Sequence, residues 1–197
     1  MLIEILIGEV SLMLRVIAVR TGDKYNKWWE NNLKHMIDKF SKLKYDEFVI
    51  VRDNEYELQV ANKLLMFEKF RDGQNIYFDL DVIIKGDCNK FLSKDFKLCS
   101  AWWRPPYHTP LNSSVMSWQG DMSKIFYKWE SDPEYYMFKY HRGIDQFLYE
   151  NIKYRTFDKK LYYSFREMNE EKNYPVCLFN QRYEYMKTKG WWSQYLI

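Results

Sequence analysis

Two carboxylates interrupt the strongest strand candidate of the chain, Tyr77-Phe78-Asp79-Leu80-Asp81-Val82, which lies between Ile76 and Ile83-Ile84. A run this apolar belongs in a strand buried on both faces, where unpaired charge is very costly. Alternation along an extended chain puts Asp79 and Asp81 on one side. Two oxygen ligands so placed can share a hard cation such as Mn²⁺ or Mg²⁺, which removes their mutual repulsion. The triplet alone also fits a strand end whose carboxylates are solvated or paired with Lys or Arg.

The elements that would position this pair follow from periodicity. Arg15 to Val19 is a short β-branched run that ends at Thr21-Gly22-Asp23. After it, Trp29, Leu33, Met36, Ile37 and Phe40 carry the spacing of an amphipathic helix. Asp46 to Val51 is a second strand, and Glu55 to Phe70 a second helical segment. Asp72-Gly73 marks a turn before the strand Ile76 to Ile84. This βαβαβ order predicts an α/β fold with a mainly parallel central sheet flanked by helices, and ligands at the carboxyl ends of its strands. Beyond Lys85 the pattern is mixed. Strands are expected at Lys97 to Trp102 and Ser113 to Trp118, on either side of the loop Arg104-Pro105-Pro106-Tyr107-His108-Thr109-Pro110. Helices are expected at Met122 to Trp129 and Ile144 to Ile152, and a last strand at Pro175 to Phe179.

Composition narrows the function classes. With 197 residues, 47% hydrophobic and 29% charged, the chain fits one globular domain. A net charge of +3 with scattered Lys and Arg lacks a nucleic-acid footprint. Cys88, Cys99 and Cys177 are odd in number and widely spaced, which argues against a disulfide framework or a zinc site and for a reducing, cytoplasmic setting. Residues 1–12 are apolar but interrupted by Glu4 and Glu9. They suit an edge strand or an extension ahead of a start at Met13, not a transmembrane segment. Neither a G-x-x-x-x-G-K-[ST] loop nor G-x-G-x-x-G is present, which leaves metal bridging as the principal way to hold a pyrophosphate. His35, His108 and His141 share no ligand spacing. Tryptophan occurs in three adjacent pairs, Trp28-Trp29, Trp102-Trp103 and Trp191-Trp192. One member of each suits the core, and the other could offer a flat platform to a sugar ring. The aromatic tail from Trp191 to Tyr195 suits closure of the core or peripheral contact with a membrane or an acceptor.

The segment Tyr77 to Asp87 (YFDLDVIIKGD) resembles the YLDLDVVVxGD signature of GT-A fold glycosyltransferases, particularly glycogenin-like and bacterial lipopolysaccharide sugar transferases. Other pieces occur in the family's order: AVRTGDKY from Ala18, the K-L-x-x-F helix at Lys63 to Phe67, an NSGVM-like strand at Asn112 to Met116, and G-x-D-Q at Gly143 to Gln146. The resemblance implies one GT-A domain over 13–197, with a nucleotide-binding half at 13–87 and an acceptor half at 88–197. Val19, Thr21 and Tyr25 would contact the nucleoside, and Lys63 a phosphate or nearby sugar group. Asp79 and Asp81 would hold Mn²⁺ or Mg²⁺. Asn112, Ser113, Asp145 and Gln146 would line the sugar and acceptor side, with Asp145 and Gln146 on hydroxyls of the transferred sugar. The resemblance further implies a nucleotide-sugar donor, UDP-linked first, a carbohydrate, lipid-linked or protein acceptor, and retention of configuration. An inverting enzyme would instead need a carboxylate base, for which Asp121, Asp145 and Glu150 are available. Where relatives carry a third metal ligand in F-H-G, this chain has Phe179-Asn180-Gln181, so the Asn180 amide stands in the histidine's place. Two rivals are a non-catalytic carbohydrate-binding protein on the same fold and a nucleotidyltransferase, which would need a further carboxylate and a glycine-rich loop.

Overall fold

The computed structural model describes residues 12–106 and 108–197; the expected edge strand or extension at 1–12 lies outside them but for Leu12. The first half reads β1 (Leu14–Val19), α1 (Lys27–Phe40), β2 (Glu47–Val51), a 3₁₀ turn (Gln59–Leu64), α2 (Leu65–Lys69), β3 (Gln74–Phe78) and β4 (Val82–Ile84). The second half reads β5 (Lys97–Ser100), β6 (Leu111–Gln119), α3 (Lys124–Glu130), α4 (Pro133–Lys139), α5 (Ile144–Asn151), β7 (Arg155–Thr156), β8 (Tyr162–Ser164) and β9 (Val176–Leu178). Two 3₁₀ segments, Asn180–Lys187 and Trp191–Tyr195, follow.

The main sheet has the order β2-β1-β3-β6-β5-β7. β1 pairs in parallel with β2 and β3, β6 runs against both β3 and β5, and β7 is parallel to β5. Five strands therefore point one way, and the expected mainly parallel α/β architecture holds. Alternation divides the core: Val16, Ala18, Ile76 and Phe78 face one buried cluster, Ile17, Val19 and Tyr77 the other. α1 covers the first face. Its Asn26 cap accepts the Trp28 N–H at 3.0 Å, and Trp29, Leu33, Met36 and Ile37 are buried. Buried Glu30 on the same helix lies 3.1 Å from Arg20 and 2.7 Å from Arg52, which ties α1 to the carboxyl ends of β1 and β2.

Two expectations need correction. Ile76 to Ile84 is not one strand: β3 belongs to the main sheet, β4 to a second sheet of order β4-β9-β8, and Asp79-Leu80-Asp81 is the turn between them. Glu55 to Phe70 is not one helix, because a buried Asn62 side chain accepts the Glu55 and Tyr56 N–H groups and holds that stretch in a loop before the 3₁₀ turn. The helix α4, with Asp132 capping the Tyr135 N–H and Pro133 at its first turn, went unpredicted. Among the described residues no helix is long and apolar enough to cross a membrane. Cys88, Cys99 and Cys177 are buried and unpaired with one another.

Candidate active site

Why the chain turns at Asp79 decides the site. β3 pairs with β6 as far as Phe78 opposite Val115, and the Asp79 N–H donates to the Ser114 carbonyl at 2.8 Å. Two residues on, the Asp81 carbonyl accepts from the Phe179 N–H at 3.2 Å, and β4 continues against β9. The two aspartates therefore reach one pocket from a turn pinned at both ends, not from alternate positions of a straight strand. The pocket, about 360 Å³, opens at the carboxyl end of β1, and its lining includes Val19, Thr21, Tyr25, Lys63, Asp79, Asp81, Asn112, Ser113, Asp145 and Asn180.

The carboxylates have different surroundings. The Asp79 carboxylate accepts from the Lys63 ammonium at 2.5 Å and the Tyr77 hydroxyl at 2.5 Å. Burial pushes its pKa up, but the Lys63 charge and hydrogen bonds from Lys63, Tyr77 and Ser114 outweigh this and hold it below the ordinary value. Asp81, 5% exposed at its side chain, has the Tyr25 hydroxyl at 2.8 Å and the Lys24 ammonium only at 4.0 Å. Burial first, and then the Asp79 charge, push its carboxyl up to about 7. Burial and the same two carboxylates drive the Tyr25 hydroxyl far above its ordinary range, so Tyr25 is a donor here. Lys24 is held over the rings of Tyr25 and Tyr183, at 4.5 and 4.1 Å from their centres.

The opposite wall comes from a break in sheet register. Between Leu98 and Cys99 the pairing of β5 jumps from Met116 to Asn112. The Ser113 N–H, released from the ladder, donates to Asp145 Oδ1 at 3.0 Å. Asp145 Oδ2 takes the Arg104 guanidinium at 2.8 Å, and Arg104 also donates to the Leu111 carbonyl at 2.6 Å. Asn112 donates to the Asn180 amide oxygen at 3.2 Å and accepts the Ser114 N–H at 3.0 Å. Asn180, at a left-handed φ of 53°, donates to Ser164 Oγ at 2.9 Å.

Among the described residues no three His, Cys, Asp or Glu side chains come together as a metal cluster. A cation here would rest on Asp79, Asp81 and the Asn180 amide oxygen, with water completing the shell. This all-oxygen donor set suits a hard divalent ion. Gln146 does not join the expected group: it lies outside the pocket lining and its amide donates to Glu150 at 2.6 Å. Of the three possible bases only Asp145 reaches the pocket; Asp121 caps Ser123, and Glu150 is held by Lys139 and Tyr140. No tryptophan lines it, and both Trp102 and Trp103 are half-buried where one core member was expected. Sequence reading missed Lys24, Arg104 and Arg142 on the pocket wall. Arg104 could have been suspected, since it stands in the proline-bearing loop at the carboxyl end of β5.

No family model and no curated protein matches the chain. Solved structures do. Over 90% of its length the chain superposes on all of a glycosyltransferase involved in the glycosylation of the major capsid of PBCV-1, at a TM-score of 0.65 and 13% identity. The fold is a glycosyltransferase fold. The glycosyltransferase GlyE of Streptococcus pneumoniae TIGR4 matches over 92% of this chain and 62% of its own, at a TM-score of 0.60 and 10% identity. Its apo form gives a TM-score of 0.58 at 11% identity, over 93% of this chain and 62% of that one.

Proposed function

We propose that this chain is a metal-dependent glycosyltransferase that moves a sugar from a nucleotide-sugar donor, a UDP-sugar first, to a carbohydrate or lipid-linked acceptor. The observation that carries this reading is the pinned Asp79-Leu80-Asp81 turn, which delivers a part-buried and a buried carboxylate into the pocket at the carboxyl ends of the strands, the second with its nearest cation, Lys24, no closer than 4.0 Å. Mn²⁺ or Mg²⁺ held by Asp79, Asp81 and Asn180 would supply positive charge to the departing nucleoside diphosphate. Lys63, oriented by Asp79 and Tyr77, adds a fixed cation beside it. Val19, Thr21 and Tyr25 form the nucleoside wall; Asn112, Ser113 and Asp145 form the sugar wall. Both Asp145 oxygens are engaged, by Arg104 and by the Ser113 N–H, which supports retention over a free-base inversion.

The test is a panel of UDP-, GDP- and CMP-sugars incubated with Mn²⁺, scoring nucleotide release by the wild type beside Asp81→Ala. Release by the wild type alone is expected. No release from any donor, with no protection against heat by nucleotide plus Mn²⁺, would sink the catalytic reading; retained sugar binding would then favour a non-catalytic carbohydrate-binding protein.

A further inference from the structure

The segment that carries Arg104 and the end of β8 both reach the pocket wall on their inner sides. Arg104 does so from the first, through Asp145, and Ser164 from the second, through Asn180. Their outer sides meet. The Trp102 indole N–H donates to both carboxylate oxygens of Glu167, at 3.0 and 3.0 Å, and the Glu167 N–H donates back to the Ser164 carbonyl at 3.0 Å. Trp102 and Trp103 sit edge to face, 4.9 Å between ring centres, and both lean on buried Tyr162, at 5.3 and 6.4 Å.

Packing on Tyr162 accounts for one side of this group. It leaves the exposed Glu167 carboxylate with spare lone pairs, and the half-buried Trp103 indole N–H with no hydrogen-bond acceptor among the described residues. Trp102 is already covered, with the Lys159 ammonium 5.2 Å from its ring centre. Trp103 is therefore the ring left to a ligand. An apolar ring beside a lone donor and a charged acceptor matches a pyranose, whose C–H face stacks while its hydroxyls hydrogen-bond. We propose that Trp103 and Glu167 form the acceptor subsite, which takes a carbohydrate ring at the edge of the transfer pocket. The ring stacks on Trp103, its hydroxyls donate to Glu167, and the Trp103 N–H donates to a hydroxyl oxygen. The inference rests on the function proposed above.

Saturation-transfer NMR on the full chain tests it, with diamagnetic Mg²⁺ and UDP present and methyl β-glucoside, methyl β-galactoside and methyl α-mannoside as probes. Saturation of at least one glycoside is expected with the wild type. Trp103→Ala should weaken that binding about tenfold, Trp103→Phe should restore most of it, and Glu167→Gln should weaken it several-fold. The thermal shift produced by nucleotide plus Mn²⁺ should be the same in all four proteins. No saturation with the wild type, or equal saturation with Trp103→Ala and Glu167→Gln, would overturn the subsite. A wild type that shows no thermal shift with UDP, GDP or CMP plus Mn²⁺ would instead remove the reading on which it rests.

Discussion

Replacing Asp81 by asparagine separates the proposed function of that residue from its cost to the fold. Burial and the Asp79 charge push the Asp81 carboxyl from an ordinary 3.8 to about 7. A carboxyl raised on folding subtracts stability once the pH exceeds its unfolded value, and the full cost is present above about 7. At about 1.36 kcal/mol per pH unit, the ionised form costs the metal-free protein about 4 kcal/mol at pH 8. Asparagine removes the charge and keeps an oxygen for the Tyr25 hydroxyl, but loses a charge-assisted bond and the Lys24 attraction across 4.0 Å. About half of the cost should be recovered, a net gain of about 2 kcal/mol. For a chain of this size that raises Tm by about 4–8 °C. Mn²⁺ with nucleotide at about 100 times its Kd should stabilise the wild type by about 2.7 kcal/mol and leave Asp81→Asn unmoved. Calorimetry with and without Mn²⁺ reads both effects. A variant that melts below the wild type without metal, or that still responds to Mn²⁺, would refute the reasoning.

Lys63→Met should cost about 3 kcal/mol by leaving the Asp79 carboxylate, 19% exposed, without its cation; a urea midpoint close to wild type would contradict that. Glu30→Gln leaves Arg20 and Arg52 facing each other, and since Arg52 is half exposed the loss should be about 1–2 kcal/mol, read from the same urea curves. At Gly73 the backbone φ is +66° and an added Cβ would stand 2.6 Å from the Met13 carbonyl oxygen. Gly73→Ala should therefore cost about 2 kcal/mol and yet leave nucleotide affinity unchanged, because Gly73 precedes β3 at the end away from the pocket; altered affinity would show that the strand transmits the strain.

The parallel half of the fold was legible because β1 and nearly all of β3 are buried on both faces and the first helix is amphipathic, so burial alone writes the pattern at Arg15 to Val19 and at Trp29 to Phe40. What failed depended on partners remote in sequence. Nothing local breaks Ile76 to Ile84, since Asp79 and Asp81 in an extended chain satisfy the same alternation; the turn is set by Ser114 and Phe179. The helical reading of Glu55 to Phe70 gave way to one side chain, Asn62, whose capacity to cap a loop has no periodicity. Among site residues, carboxylates and amides in an apolar run stood out. Lys24, Arg104 and Arg142 sit in polar loops, where a cation is unremarkable until its neighbours are known, and the half-turn past Gly143 that aims Asp145 inward aims Gln146 away.

The turn that carries the aspartates also dictates when the pocket can exist. Its amino end is stitched to residue 114 and its carboxyl end to residue 179. During synthesis from the amino terminus, the first 78 residues can set up three parallel strands, but they cannot fix the turn. The topology thus makes the pocket a late product of synthesis: the turn has both of its anchors only once Phe179 has emerged and docked beside Asp81.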